Sequence, residues 1–170
     1  MESMLIDDFH RSEGRSVLGT QWRTVTDRVM GGVSQAGLEY HEVAGHRGLR
    51  LTGNVRLDNN GGFLQMALDL CASGACLDAR GFAGVTLLVH GNREQYSVHL
   101  RTSDNIRPWQ SYRAHFAAKS RWQRIHLPFD DFRPHRLTIP LNLQRLRRLG
   151  VVAIGRAFAA DLTVAEVGFY

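Results

Sequence analysis

A chain of 170 residues, 44% hydrophobic and 22% charged, can bury a useful core without disulfide or metal staples, and its length favours one globular domain over residues 1–170. No apolar run approaches the roughly 18 residues that a membrane span needs. The start, Met1-Glu-Ser-Met-Leu-Ile-Asp-Asp-Phe9, has neither the basic end nor the apolar stretch of a secretory signal. The expected location is therefore the cytoplasm. The net charge of +5 is unevenly spread: residues 1–85 hold 8 basic and 10 acidic groups, residues 86–170 hold 13 and 6. Of the 21 cationic side chains only Lys119 is lysine. Arginine suits bidentate contact with carboxylate or phosphate, although a GC-rich genome produces the same bias. The asymmetry permits an acidic partner surface or anionic lipid headgroups and demands neither.

Taken in chain order, Asp7-Asp8 precedes Phe9, as Asp130-Asp131 later precedes Phe132. Adjacent strand residues point to opposite faces, so neither pair forms a glycosidase-type dyad alone. Both read as turn residues at strand boundaries. Asp27-Arg-Val-Met-Gly-Gly-Val-Ser34 reads as a turn entering a strand, with Asp27 and Ser34 bracketing it through side-chain-to-backbone hydrogen bonds. The alternative is a loop on a binding rim, with Arg28 and Met30 as contacts beside Gly31 and Gly32. Gly32-Val-Ser-Gln-Ala-Gly37 mimics a phosphate-binding glycine fingerprint, but the strand-like Leu38-Glu-Tyr-His-Glu42 follows it where a helix would be needed.

Alternation of period two then recurs over 49–53, 96–101, 112–116 and 124–127, and in a last strand through Leu162, Val164, Ala165, Val167 and Phe169 that changes phase near its end. Val85–Val89 and Val151–Ile154 are short apolar runs expected to be strands buried on both faces. Asp58-Asn-Asn-Gly-Gly62 reads as a hairpin turn; a single carboxylate is too little for a tight calcium site. Cys71 and Cys76 are too few for zinc. They read as thiols, with a small-loop disulfide as the other possibility. Asn142–Leu149 carries leucines at 143, 146 and 149, which predicts one or two helical turns and nothing longer. Parallel α/β architecture needs real crossover helices, so the pattern points to an all-β sandwich or jelly roll, mostly antiparallel.

The predicted strands 96–101 and 112–116 pair through the loop 102–111. One face of that pair carries Ser97, His99, Arg101, Arg113 and His115. Either it is a solvated outer face, or it is a cationic concave surface that meets a partner or ligand, with Trp109 and Tyr112 as an aromatic edge. Trp22 and Trp122 read as core or near-core residues. Arg133, Arg136, Arg145, Arg147 and Arg148 form a basic stretch without an acid. No aromatics interleave it, so a stacking platform for nucleic acid is not expected; it is a solvated edge or a docking edge for an acidic or membrane-proximal partner. No nucleophile elbow, zinc-protease motif or Walker loop occurs, and the eight histidines show no ligand spacing. No catalytic residue, metal or cofactor is expected.

Trp22 with Asp27–Ser34, Asn60-Gly-Gly-Phe63, and the stretch from Tyr96 to Leu127-Pro-Phe-Asp-Asp-Phe132 together resemble the complex I intermediate-associated protein 30 family. Ile6-Asp-Asp-Phe9, Leu149-Gly-Val-Val and Leu162-Thr-Val-Ala-Glu-Val fit the same pattern, so the resemblance covers nearly the whole chain. It implies a jelly-roll sandwich of the galactose-binding-like type, similar to some carbohydrate-binding modules. It also implies a non-enzymatic role like that of the mitochondrial members, which help assemble respiratory complex I. The chain looks like a compact, bacterial-type member without a presequence or an attached Rossmann domain. The expected partner is then a protein, such as complex I subunits or assembly intermediates, met at the inner face of the membrane. The alternative is a small glycan bound on the concave face.

Overall fold

The computed structural model describes residues 2–170, apart from the Met30 side chain. Twelve strands form: β1 (Met4–Asp7), β2 (Arg23–Thr26), β3 (Gly37–Val43), β4 (His46–Val55), β5 (Phe63–Asp69), β6 (Gly84–His90), β7 (Gln95–Thr102), β8 (Ser111–Ala117), β9 (Gln123–Pro128), β10 (Arg133–His135), β11 (Leu146–Ile154) and β12 (Phe158–Phe169). The helical elements among the described residues are short 3₁₀ turns. One sheet runs β3-β4-β12-β6-β9, with β1 added along the end of β12; the other runs β10-β8-β7-β11-β5-β2. Every pairing is antiparallel. The expected all-β jelly-roll sandwich is what forms.

Period-two alternation turns one side of each strand inward. Leu49, Leu51, Val85, Leu87, Leu162 and Val164 of the first sheet and Leu64, Met66, Val98, Leu100, Leu149 and Val151 of the second belong to one buried cluster. Each such aliphatic side chain contributes roughly 1.5–3 kcal/mol on burial. The change of phase in the last strand is a β-bulge between Val164 and Glu166, where β12 gains one residue against β6. Along β11, Val151, Val152 and Ala153 are all buried, as a central strand requires; on β6 the outward Thr86 and Leu88 are half-buried instead.

One expectation is met in part and one is corrected. The leucines at 143, 146 and 149 do not lie on a helix beyond the single 3₁₀ turn Leu143–Arg145. Leu146 already pairs with Thr102 of β7, and a bulge at Arg147 sets the three-residue step that brings Leu146 and Leu149 both to the core. Asp58–Gly62 is not a hairpin turn either, because β4 and β5 belong to different sheets. It is a crossover between them, with Asn59 and Asn60 at φ of 56° and 58°.

Candidate functional site

Outward-pointing residues of the second sheet and three surrounding loops enclose an open groove of about 750 Å³. Its floor combines Gln65 of β5, His99 and Arg101 of β7, Ser111 and Arg113 of β8, and Arg148 of β11. His135 and Arg136 close the β10 end. Val29, Leu57, Ile106 and Trp109 form an apolar rim. They are four of the six large hydrophobic side chains exposed among the described residues, with Val29 at 64% and Ile106 at 79%.

The rim is held by Asp27. This carboxylate is fully buried and accepts hydrogen bonds from Ser34 N (2.9 Å), the Ser34 hydroxyl, Gly62 N (2.6 Å) and Phe63 N (3.2 Å). It therefore ties the loop after β2 to the crossover before β5. Burial pushes its pKa up, but the donors from Ser34, Gly62 and Phe63 outweigh burial and hold it below the ordinary aspartate range. The glycines on either side are part of the same arrangement. A Cβ on Gly32 would lie 2.5 Å from the Asp27 carboxyl carbon, and one on Gly61 2.7 Å from its oxygen. Gly31, at φ 86°, closes the 3₁₀ turn Asp27–Met30. The bracketing by Asp27 and Ser34 is thus observed, and both side chains are buried away from any contact surface. Arg28 is exposed but outside the groove, so the rim residue of this loop is Val29, which the sequence did not single out. The expectation for Met30 lies outside the described side chains.

Of the residues expected on the β7–β8 face, His99, Arg101, Arg113 and Trp109 meet in the groove. Only 7% of His99 is exposed, and its Nε2 lies 2.9 Å from the Ser97 hydroxyl. Burial first, then the neighbouring charges of Arg113, His115, His135 and Arg101, keep its pKa well below the ordinary histidine value, so the ring is neutral at pH 7. Burial, with Arg136 adding to it, lowers Arg113 to about 10. Burial also lowers Arg101, helped by Arg148 and Arg147. His115 is exposed and lies outside the groove. Tyr112 must be corrected: it alternates to the opposite face, is fully buried, and its hydroxyl donates to Ile139 O at 2.6 Å.

The guanidinium groups are pinned without being neutralised. Arg101 donates to three loop carbonyls, those of Arg107 (3.2 Å), Pro108 (3.0 Å) and Gln110 (2.8 Å), which also shapes the rim segment carrying Ile106 and Trp109. Arg113 donates to the Ser111 hydroxyl at 2.8 Å. Arg148 alone meets a carboxylate, Asp69, at 2.9 Å. A smaller cavity of about 120 Å³ adjoins through Arg101 and Arg148 and is lined in part by Asn105, whose buried amide nitrogen has no hydrogen-bond partner. Cys71 and Cys76 are free thiols. Among the described residues no cluster of three His, Cys, Asp or Glu could hold a metal, and no helix is long and apolar enough to cross a membrane.

The chain is thus a jelly-roll sandwich with an open groove on the outer face of one sheet. Solved structures with this fold include the family 11 carbohydrate-binding module of the cellulosomal cellulase Lic26A-Cel5E of Clostridium thermocellum, at a TM-score of 0.74 and 12% identity, covering 99% of this chain and 94% of that one. The family 30 module of the cellulase Cel9D-Cel44B from the same organism has a TM-score of 0.61 at 13% identity, covering 100% and 98%. At these identities the likeness is one of fold. A comparison with curated protein sequences returns no match. The family is given by its profile: residues 8–163 match Complex I intermediate-associated protein 30, and the chain belongs to that family. Asp27 explains why two motifs of the resemblance, Asp27–Ser34 and Asn60–Phe63, occur together, since both wrap one carboxylate.

Proposed function

We propose that this chain is a non-catalytic interaction module that assists assembly of a respiratory membrane complex, holding a partner protein in the groove of the second sheet. The observation that carries the reading is family membership joined to an open groove whose rim exposes Val29, Leu57, Ile106 and Trp109. Four large apolar side chains exposed together at one groove make the kind of contiguous apolar surface that marks an interaction site. The partner is a complex I subunit or assembly intermediate, met by peripheral association with the membrane. Affinity purification of the tagged chain from its native host tests this. Recovery of such subunits, with complex I activity reduced in a deletion strain, is the expected result. Recovery of none, with activity intact, overturns it.

The fold likeness to carbohydrate-binding modules favours a second reading, a glycan ligand in the same groove with Trp109 as its stacking platform. It predicts saturable binding of an oligosaccharide that is lost in Trp109→Ala.

A further inference from the structure

Several arginines on the outer faces of the sandwich are paired with carboxylates, among them Arg23 and Arg148 of the second sheet, both on Asp69. On the first sheet, Arg50 is paired with Asp161 at 2.8 Å and Arg124 with Glu166 at 2.7 Å. On the groove face, Arg101, Arg113 and Arg136 have no carboxylate partner among the described residues, and no Asp or Glu lines the groove. Guanidinium groups only donate hydrogen bonds. A sugar ring presents hydroxyls that donate as well as accept, and its usual acceptors, side-chain carboxylates, are missing from this floor. A carboxylate ligand only accepts, so it matches the unpaired guanidinium groups of Arg101, Arg113 and Arg136. Half-buried like charges without a counter-charge are also costly, as the lowered pKa values of Arg101 and Arg113 indicate, and an incoming anion relieves that cost. Around the floor, three of the four exposed rim side chains are aliphatic, and only Trp109 is aromatic.

We infer that the occupant of the groove is a segment of a partner protein that places an Asp or Glu side chain on Arg101, Arg113 and Arg136 and aliphatic side chains on Val29, Leu57 and Ile106. This rests on the reading of the groove as a protein-binding site and specifies its ligand. The site is selective for charge: the same segment with its acids converted to amides loses the bidentate guanidinium contacts and keeps the apolar ones.

The test uses the whole chain as bait for a displayed library of random dodecapeptides. Selected peptides are then synthesised with a fluorophore, alongside versions with Asp→Asn and Glu→Gln, and measured by fluorescence anisotropy. Selected sequences are expected to carry an acid flanked by aliphatic residues. The amide versions should bind at least tenfold more weakly. Arg136→Gln, at an exposed position, and Arg113→Gln should each weaken the acidic peptide by a similar factor and leave the amide version nearly unchanged. Thermal melting of each variant establishes that it is folded. Selection of acid-free peptides, equal binding of the acid and amide forms, or binding insensitive to Arg136→Gln would overturn the inference while leaving the protein-binding reading in place. No selected peptide, together with calorimetric binding of a mixed-linkage β-glucan tetrasaccharide or of oligogalacturonate, would overturn both.

Discussion

Asp27 carries more of the site than any residue that lines it. Four donors converge on its buried carboxylate, so replacing it by Asn turns an amide group toward backbone N–H groups that then lack an acceptor. Asp27→Asn is expected to cost about 3 kcal/mol of folding stability, since hydrogen bonds to charged groups contribute about 1.5–3 kcal/mol each and orphaned donors add to the loss. Chemical denaturation would measure it. The pH dependence follows from the sign of the shift. Because the folded carboxyl is more acidic than the unfolded one, its contribution is fully present above about pH 4 and is lost as the pH falls through the lower folded value. Asp7 acts in the opposite sense. Burial raises its pKa despite the hydrogen bond from Trp22 Nε1 at 2.7 Å, so its contribution is present at low pH and lost as the pH rises through the raised value. In Asp27→Asn the acid limb of the stability curve below about pH 4 should be shallower than in the wild type; an unchanged limb would mean that Asp27 does not titrate in this way.

Bulges decide which side chains reach which face. Arg147 is the extra residue of β11, with Leu146 and Arg148 registered on consecutive positions of β7. Deleting Arg147 straightens the strand and leaves Leu146 and Leu149 inward and Arg148 outward. The expected loss is about 1–3 kcal/mol, mainly the hydrogen bond from Leu70 N to Arg147 O at 2.9 Å. Deleting Val152 instead reverses the inside and outside of the rest of β11 and should prevent folding, which circular dichroism melts of the two variants would compare. The same feature marks where sequence reasoning stops. The phase change in β12 is visible because its apolar residues show it directly, at Val164 and Ala165. The bulge in β11 is hidden because leucines at 143, 146 and 149 fit a helix as well as a bulged strand, and only pairing with β7 decides.

Across the whole molecule, sheet order turns scattered residues into a site. The β7–β8 hairpin is local, so His99, Arg101 and Arg113 could be placed together from their alternation. Gln65, His135, Arg136 and Arg148 join them through β5, β10 and β11, which become neighbours only when the sheet assembles. Arg136 and Arg148 stood out in the sequence only as part of a basic stretch, without a side or a destination. Val29, Leu57 and Ile106 gave no signal, since single exposed apolar residues in loops are ordinary. Asp27 and Arg101 bring those loops to the rim through backbone hydrogen bonds that no pattern of residue types encodes.

The proposed occupant of this groove is a partner protein of a respiratory membrane complex. Site-specific photocrosslinking in the native host tests it most directly, with a benzophenone amino acid replacing Trp109 on the rim and, as the control, Thr86 on the outer face of the first sheet. Crosslinks from position 109, and not from position 86, to a complex I subunit or assembly intermediate are the expected result. The crosslinked peptide should contain Asp or Glu beside aliphatic residues, and Arg113→Gln should reduce the product. Equal products from both positions, or a glycan in place of a protein at position 109, would contradict it.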